Sequence, residues 1–496
     1  MDGVMSKKLL KEAFVSNLNG TTLGEVAFGS LVAPLCVLSR GLFFILYYRG
    51  KETFPLSWKS HFLLDFTFLV LPLVLYSTLF SGVLYLAITG LAVIDVGVLY
   101  QVYQKKKPAA PLLDLMKRFL QSKVETNLVP FVTVFRVQVN VKTALCILAV
   151  DFSVFPRRYA KTETYGTGVM DLGVGAYILA NAIVCPEARR KEKKGSNFSH
   201  VVRQLWSVWP LVLLGMARMI SVKMSGYQEH VSEYGVHWNF FFTLAIVRVI
   251  ASIILAIFPV KKSWLFALLI SGIYQVVLET TSLKTFIIHS EDRTGSFLAA
   301  NREGIFSVFG YVAIYMAGVQ VGLYIMETRL LIKDWLKVIQ KLLIVSFLLY
   351  VMLHFCQIHI EPVSRRMANL PYCVWIIAEC MYFLTCLSVV DVVLLFAKAL
   401  TNCYIIPTSW NLHQDDEMKK ANPRTEMEGL CLIQSVNRNQ LLFFMIANLM
   451  TGLTNVIVDT VNSNDLFSVS VLLMYMFINS AVIFILHRKG ITVKFW

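Results

Sequence analysis

The chain has 496 residues, of which 56% are hydrophobic and only 16% charged, with a mean hydropathy of +0.63. Soluble domains carry about 25% charged residues, so a chain this long could not cover its own surface with polar groups, and a soluble enzyme is excluded. The net charge of +15 would invite a nucleic-acid partner, yet no basic stretch interleaved with aromatics stands outside the apolar runs. In a membrane protein the same excess reports loop topology and affinity for anionic headgroups.

Crossing ~30 Å of hydrocarbon takes about 20 residues of helix. Thirteen stretches meet that need: 23–47, 61–80, 82–103, 130–150, 168–186, 204–222, 238–258, 264–282, 304–326, 335–355, 371–397, 440–458 and 466–487. The pattern predicts an all-α polytopic membrane protein, one bundle of about thirteen transmembrane helices. Residues 1–22 are polar and precede a first span expected to be a retained anchor. Residues 23–400 form a membrane domain of about eleven spans, 401–438 a flexible polar loop, and 439–496 the last two spans and a tail. The run from Pro371 is long enough to tilt or to break near Ser388 to Asp391, and the connection around Ser81 is a weak boundary. The nine cysteines show no CxxC pair or zinc spacing and read as small packing residues.

Charge sorts the connections. With the N-terminus outside, and Lys337 at the start of its span counted with the adjoining loop, the inner connections hold 28 of the 46 Lys and Arg, among them Lys105 to Lys107 and Arg189 to Lys191, against 12 outside and six within spans. Positive residues concentrate on the cytosolic side, so the N-terminus is expected to be lumenal and the C-terminus cytosolic.

Four outer loops then share one membrane face. The first runs from Asp151 through Arg157, Arg158 and Lys161 to Thr167. The second carries Glu229, His230, Glu233, His237 and Asn239, the third Asp292, Arg293, Asn301, Arg302 and Glu303, and the fourth Arg365, Arg366 and Asn369. Asp151 ends an apolar helix and Lys161 is a flexible donor in the same loop, so the pair can supply a base for a hydroxyl and a positive charge for a developing oxyanion. The plainer alternative is an interfacial ion pair that fixes a helix end. Arg157 and Arg158 suit a phosphate, or else nonspecific headgroup contact. His230 and His237 belong to no metal motif, and no metal site is expected. Ionisable residues inside spans, including Asp65, Lys142, Asp171, Arg218 and Asp391, call for an explanation because charge in hydrocarbon is costly. Asp171, just after the Asp151 loop, is the best placed of them to line the same cavity.

The stretch Ala149 to Gly175 resembles the signature AVDFPxFPRRxAKTExYGTGxMDxGVG of the PIG-W family. The similarity continues in Gly226 to Phe242 (GYQEHVSEYGVHWNFFF), Asn301 to Gly304, Gly310 to Tyr324, Ser364 to Asn369 and the N-terminal Glu12 to Thr21. Ser153 departs from the pattern, which has proline there. The resemblance implies an endoplasmic-reticulum membrane enzyme of glycosylphosphatidylinositol biosynthesis. Such an enzyme moves a fatty acyl chain, typically palmitoyl, from acyl-CoA to the inositol 2-hydroxyl of glucosaminyl-phosphatidylinositol. On that reading Asp151 and Lys161 are catalytic, the arginines and the remaining polar loop residues contact substrate, membrane lipids surround the site, and no cofactor beyond the acyl-CoA co-substrate is needed. Two other readings compete: a multi-span lipid or solute transporter, and an acyltransferase built on a buried histidine, His237 or His354.

Overall fold

The computed structural model describes residues 13–14, 16–48, 57–106, 111–125, 129–189, 197–225, 231–290, 292–401, 406–413 and 430–493. Helix dominates because the apolar runs leave backbone polar groups no partner in lipid except one another. In chain order we label α1 (Leu23–Tyr48), α2 (Trp58–Ser77), α3 (Ser81–Gln104), α4 (Leu112–Gln121), α5 (Pro130–Ala149), α6 (Val169–Ile183), α7 (Asn197–Ser225) and α8 (Phe240–Ile257). They are followed by α9 (Val260–Thr280), α10 (Arg302–Ile325), α11 (Ile332–His359), α12 (Leu370–Thr401), α13 (Leu432–Arg438), α14 (Gln440–Ile457) and α15 (Asp465–Arg488).

Twelve of these helices are long and apolar enough to cross a membrane. The thirteenth expected span, α6, is shorter, a 3-residue turn continued by a 12-residue helix. It still runs from face to face: Gly168 at its start belongs to the Asp151 loop, while Ile183 at its end packs on Gly322 near the end of α10. The long α12 is continuous, with no break at Ser388 to Asp391, and Ser81 starts a tight 3-10 turn. Part of the 401–438 connection is folded onto the bundle. Trp410 is buried, Leu412 pairs with Val124, and Lys398 donates to the Trp410 carbonyl at 2.8 Å.

The helix α12 is the axis. It packs against α1, α3, α5, α6, α9, α10 and α11, and buries Tyr372 and Trp375 completely. α5 sits beside it and contacts α6, α13, α14 and α15, whereas α3, α7 and α14 keep most of their surface outside, as lipid-facing helices do. A buried pair, Arg40 and Asp65 at 2.7 Å, ties α1 to α2, and Asp65 also accepts from the Leu432 N–H at 2.7 Å. Every described cysteine is unpaired, and all but Cys386 are buried.

Backbones approach closely where α10 meets the 361–369 loop. A methyl group at Gly310 would fall onto the carbonyl oxygen and Cβ of fully buried Ala368, which itself holds a left-handed φ of 49° and cannot easily withdraw. Gly310→Ala should therefore lower stability by about 1–3 kcal/mol through overpacking. Gly90→Ala, where nothing lies within 4 Å of the new carbon, should be neutral or slightly stabilising. Thermal unfolding of the two variants in detergent checks the contrast.

Candidate functional site

The four polar loops expected on one face do meet there, together with the N-terminal segment and the Asp459–Ser463 turn. Asp171 is their knot. Its carboxylate accepts from the N–H groups of Gly168 at 2.8 Å and Thr162 at 3.2 Å, folding the Asp151 loop back over the start of α6. Arg365, from the loop before α12, donates to the same carboxylate at 2.8 Å, both side chains being buried, and the Tyr372 hydroxyl donates to the Asp171 carbonyl at 2.9 Å. Arg365 also lies 3.7 Å from Glu233, which in turn pairs with Lys161. Negative and positive groups thus alternate along Asp171, Arg365, Glu233 and Lys161. Burial disfavours the Arg365 charge, but Glu233 and Asp171 outweigh it and hold the guanidinium proton more tightly than usual.

Arg365, Glu233 and Lys161 of this row line one end of a cavity of about 1360 Å³ enclosed chiefly by α5, α6, α7 and α14. Asp151, Lys161, Glu233, His237, Asn239 and Arg365 line it near the loops, and Lys142, Gln138 and Glu379 line it farther along. Nine residues of helical rise put Lys142 ~13 Å below Asp151. Asp151 is buried, and its Oδ2 accepts from the Asn455 side-chain amide at 2.6 Å. An apolar cavity with a few convergent polar groups is where ligand chemistry is expected.

The remaining sequence candidates fall into three groups. Asn239 lines the cavity but is occupied as the N-cap of α8, accepting from Phe241 at 3.0 Å and donating to the Gly215 carbonyl at 2.9 Å. His237 stacks on Phe297 and meets Lys223 at 3.2 Å. A second group lies behind the wall. Asn301 accepts from the His237 N–H at 2.7 Å, Arg302 is spent on carbonyls including Asp292 at 3.1 Å, and Glu303 receives Arg293 at 2.8 Å and Arg366 at 2.9 Å. Asn369 caps α12 by accepting from Tyr372 at 3.1 Å. Asp171 also belongs to this group, since it is fully buried and braces the wall from behind. The third group braces the loop. Arg157 donates to the carbonyls of Val150, Phe152 and Phe155, each at 2.8 Å, and burial pushes its guanidinium down to about 10, with Asp151 pulling the other way. Arg158 pairs with Glu25 at 3.0 Å. Glu229 and His230 lie outside the described residues, and His354 faces outward on α11, away from the cavity.

The GWT1 family model matches residues 7–486. The chain belongs to the GWT1 family. It is 45% identical over 505 residues to the human protein called glucosaminyl-phosphatidylinositol-acyltransferase PIGW, covering 99% of this chain and 100% of that protein. The bovine protein of the same name is 44% identical over 504 residues, with the same coverage. A more distant GWT1 relative, GPI-anchored wall transfer protein 1 of Yarrowia lipolytica, is 34% identical over 99% of each chain. The PIG-W resemblance in the motif loops is thus a full-length relationship.

Sequence reasoning passed over Asn448 and Asn455, which sit in an apolar span without a motif. Their signal is a spacing of seven, which puts two amides on one helix face. Because the Asp171–Arg365 pair is buried, removing one partner strands a charge, at a cost of about 3–5 kcal/mol. Arg365→Met should lower the melting temperature sharply, and adding Asp171→Asn should recover part of the loss. Thermal unfolding of both variants in detergent measures it, and equal melting temperatures for the single and double variants would refute the coupling.

Proposed function

We propose that this GWT1-family protein transfers a fatty acyl group, typically palmitoyl, from acyl-CoA to the inositol 2-hydroxyl of glucosaminyl-phosphatidylinositol, within the endoplasmic-reticulum membrane. The observation that carries the mechanism is that Asp151 and Lys161, ten residues apart on a loop, line one cavity inside an apolar bundle. The full-length relation to proteins named for this acyl transfer supports the substrate class.

The Asp151 carboxylate takes the proton of the inositol hydroxyl as its oxygen attacks the thioester carbonyl. Lys161 stabilises the oxyanion that forms, and collapse of the tetrahedral intermediate forms the ester and expels the CoA thiolate, which recovers the proton. Asn455 holds Asp151 at a fixed angle, while Glu233 tethers Lys161 with its side chain still about one-third exposed. An activated thioester supplies the acyl group, so the chemistry calls for no further cofactor. We assign the Asp151 face to the lumen and the Lys105 to Lys107 and Arg189 to Lys191 connections to the cytosol, following their positive charge. The acyl donor, which carries a large anionic head, then reaches the site along the cavity from the cytosolic side.

Asp151→Asn and Lys161→Met should each reduce transfer by about a hundred-fold or more, with the protein still monodisperse in detergent. The assay incubates purified protein with palmitoyl-CoA and glucosaminyl-phosphatidylinositol and reads the mass of one added acyl chain. A lipid moved across vesicles with unchanged mass would instead make the protein a transporter.

A further inference from the structure

On one side, no helix among the described residues stands behind the cavity wall. Its wall there is made by α7 and α14, and residues that line it also face outward: Leu449 is 75% and Val456 80% exposed, and Ala217 and Arg218 are exposed on the opposite rim. A Cβ placed on Gly452, between the two exposed α14 residues, meets nothing within 4 Å. The slit is bridged by Arg218, whose Nη1 donates to the Asn448 side-chain oxygen at 2.6 Å.

Arg218 is unusual in two respects. It stands seven residues, ~10 Å of helical rise, inside the end of α7, where a cation open to lipid is costly and marks function. No carboxylate among the described residues lies within ion-pair distance of it. Of the four described Lys and Arg side chains lining the cavity, Lys161 and Arg365 are already paired with Glu233 and Asp171, Lys161 beside the reacting carbonyl, and Lys142 lies deep beside Glu379. Arg157 and Arg158 are committed to loop carbonyls and to Glu25.

We propose that the slit between α7 and α14 is a lateral portal through which an anionic diacyl lipid reaches the cavity from the bilayer, and that Arg218 receives its phosphodiester. This rests on the acyltransferase reading above. The apolar rims let both acyl chains remain in lipid while the sugar head moves inward to Asp151. The guanidinium fork exchanges a neutral amide for a phosphate, a stronger, charge-assisted pairing. Asn448 is thus the resting partner of Arg218 and the latch of the portal.

Full-length protein in phosphatidylcholine nanodiscs tests this with two acceptors, long-chain glucosaminyl-phosphatidylinositol and its dioctanoyl analogue. Gly452→Trp, filling the slit, should raise the long-chain KM relative to the dioctanoyl KM by about ten-fold; Ala217→Trp on the other rim repeats the test should the first variant express poorly. Arg218→Gln should raise KM for both acceptors by about ten-fold, kcat changing by less than about two-fold, and Arg218→Lys should restore most of the loss. An unchanged KM ratio in the tryptophan variants, or a fall in kcat alone at Arg218, overturns the portal while leaving the acyltransferase intact. If the wild type acylates neither lipid, the acyltransferase reading falls, and the portal with it.

Discussion

One buried carboxylate holds the functional end of this bundle together. Asp171 gathers two backbone N–H groups from the Asp151 loop and the guanidinium of Arg365 from nearly two hundred residues later. A charge removed from water in this way persists only when its partners are fixed and nearly complete. The converse is that the partners are fixed by the charge. Neither the loop nor the 361–369 segment can lift from the start of α6 without stranding the Asp171 charge in an apolar interior. The N-terminal segment locks over the same loop, with Thr21 donating its N–H to the Thr167 carbonyl at 2.7 Å.

From this follows a division of labour among the polar groups of that face. Arg157, Arg302, Glu303, Arg366 and Asn369 spend their hydrogen bonds on carbonyls, caps and one another, building a rigid wall. Asp151, Lys161 and Glu233 stand in front of it, each held by at least one partner and turned toward the cavity. Rigid support behind and a few oriented groups in front is the arrangement that electrostatic preorganisation requires.

Much of this was legible in the sequence, and the failures are instructive. Twelve of the thirteen expected spans, and the convergence of the four loops, followed from apolar length and alternation alone, because the bilayer enforces both. The loop holding Asp151 and Lys161 stood out as the most chemically varied polar segment. What the sequence could not separate was a charged residue facing a cavity from one buried behind its wall, since Arg157 and Lys161 are four residues apart with similar neighbours and opposite fates. Nor did it reveal Asn455, whose importance depends on a contact across 304 positions. The polar 401–438 segment read as loop because its composition is polar, yet Trp410 and the helix Leu432–Arg438 fold onto the bundle through long-range contacts that composition does not encode.

The brevity of α6 has a geometric consequence. At ~2.0 Å per residue in its 3-residue 3-10 turn and ~1.5 Å in its 12-residue helix, it rises ~24 Å, about 6 Å less than the hydrocarbon thickness. The loop that caps its N-terminal end stands in for missing helix, so the polar floor of the cavity is sunk below the plane of the surrounding headgroups. On the proposed lateral entry, a glycolipid moves sideways and a short way inward to reach that floor, with its acyl chains staying in the leaflet. The bundle brings the aqueous boundary down to the lipid, and spares it the work of being drawn out of the membrane.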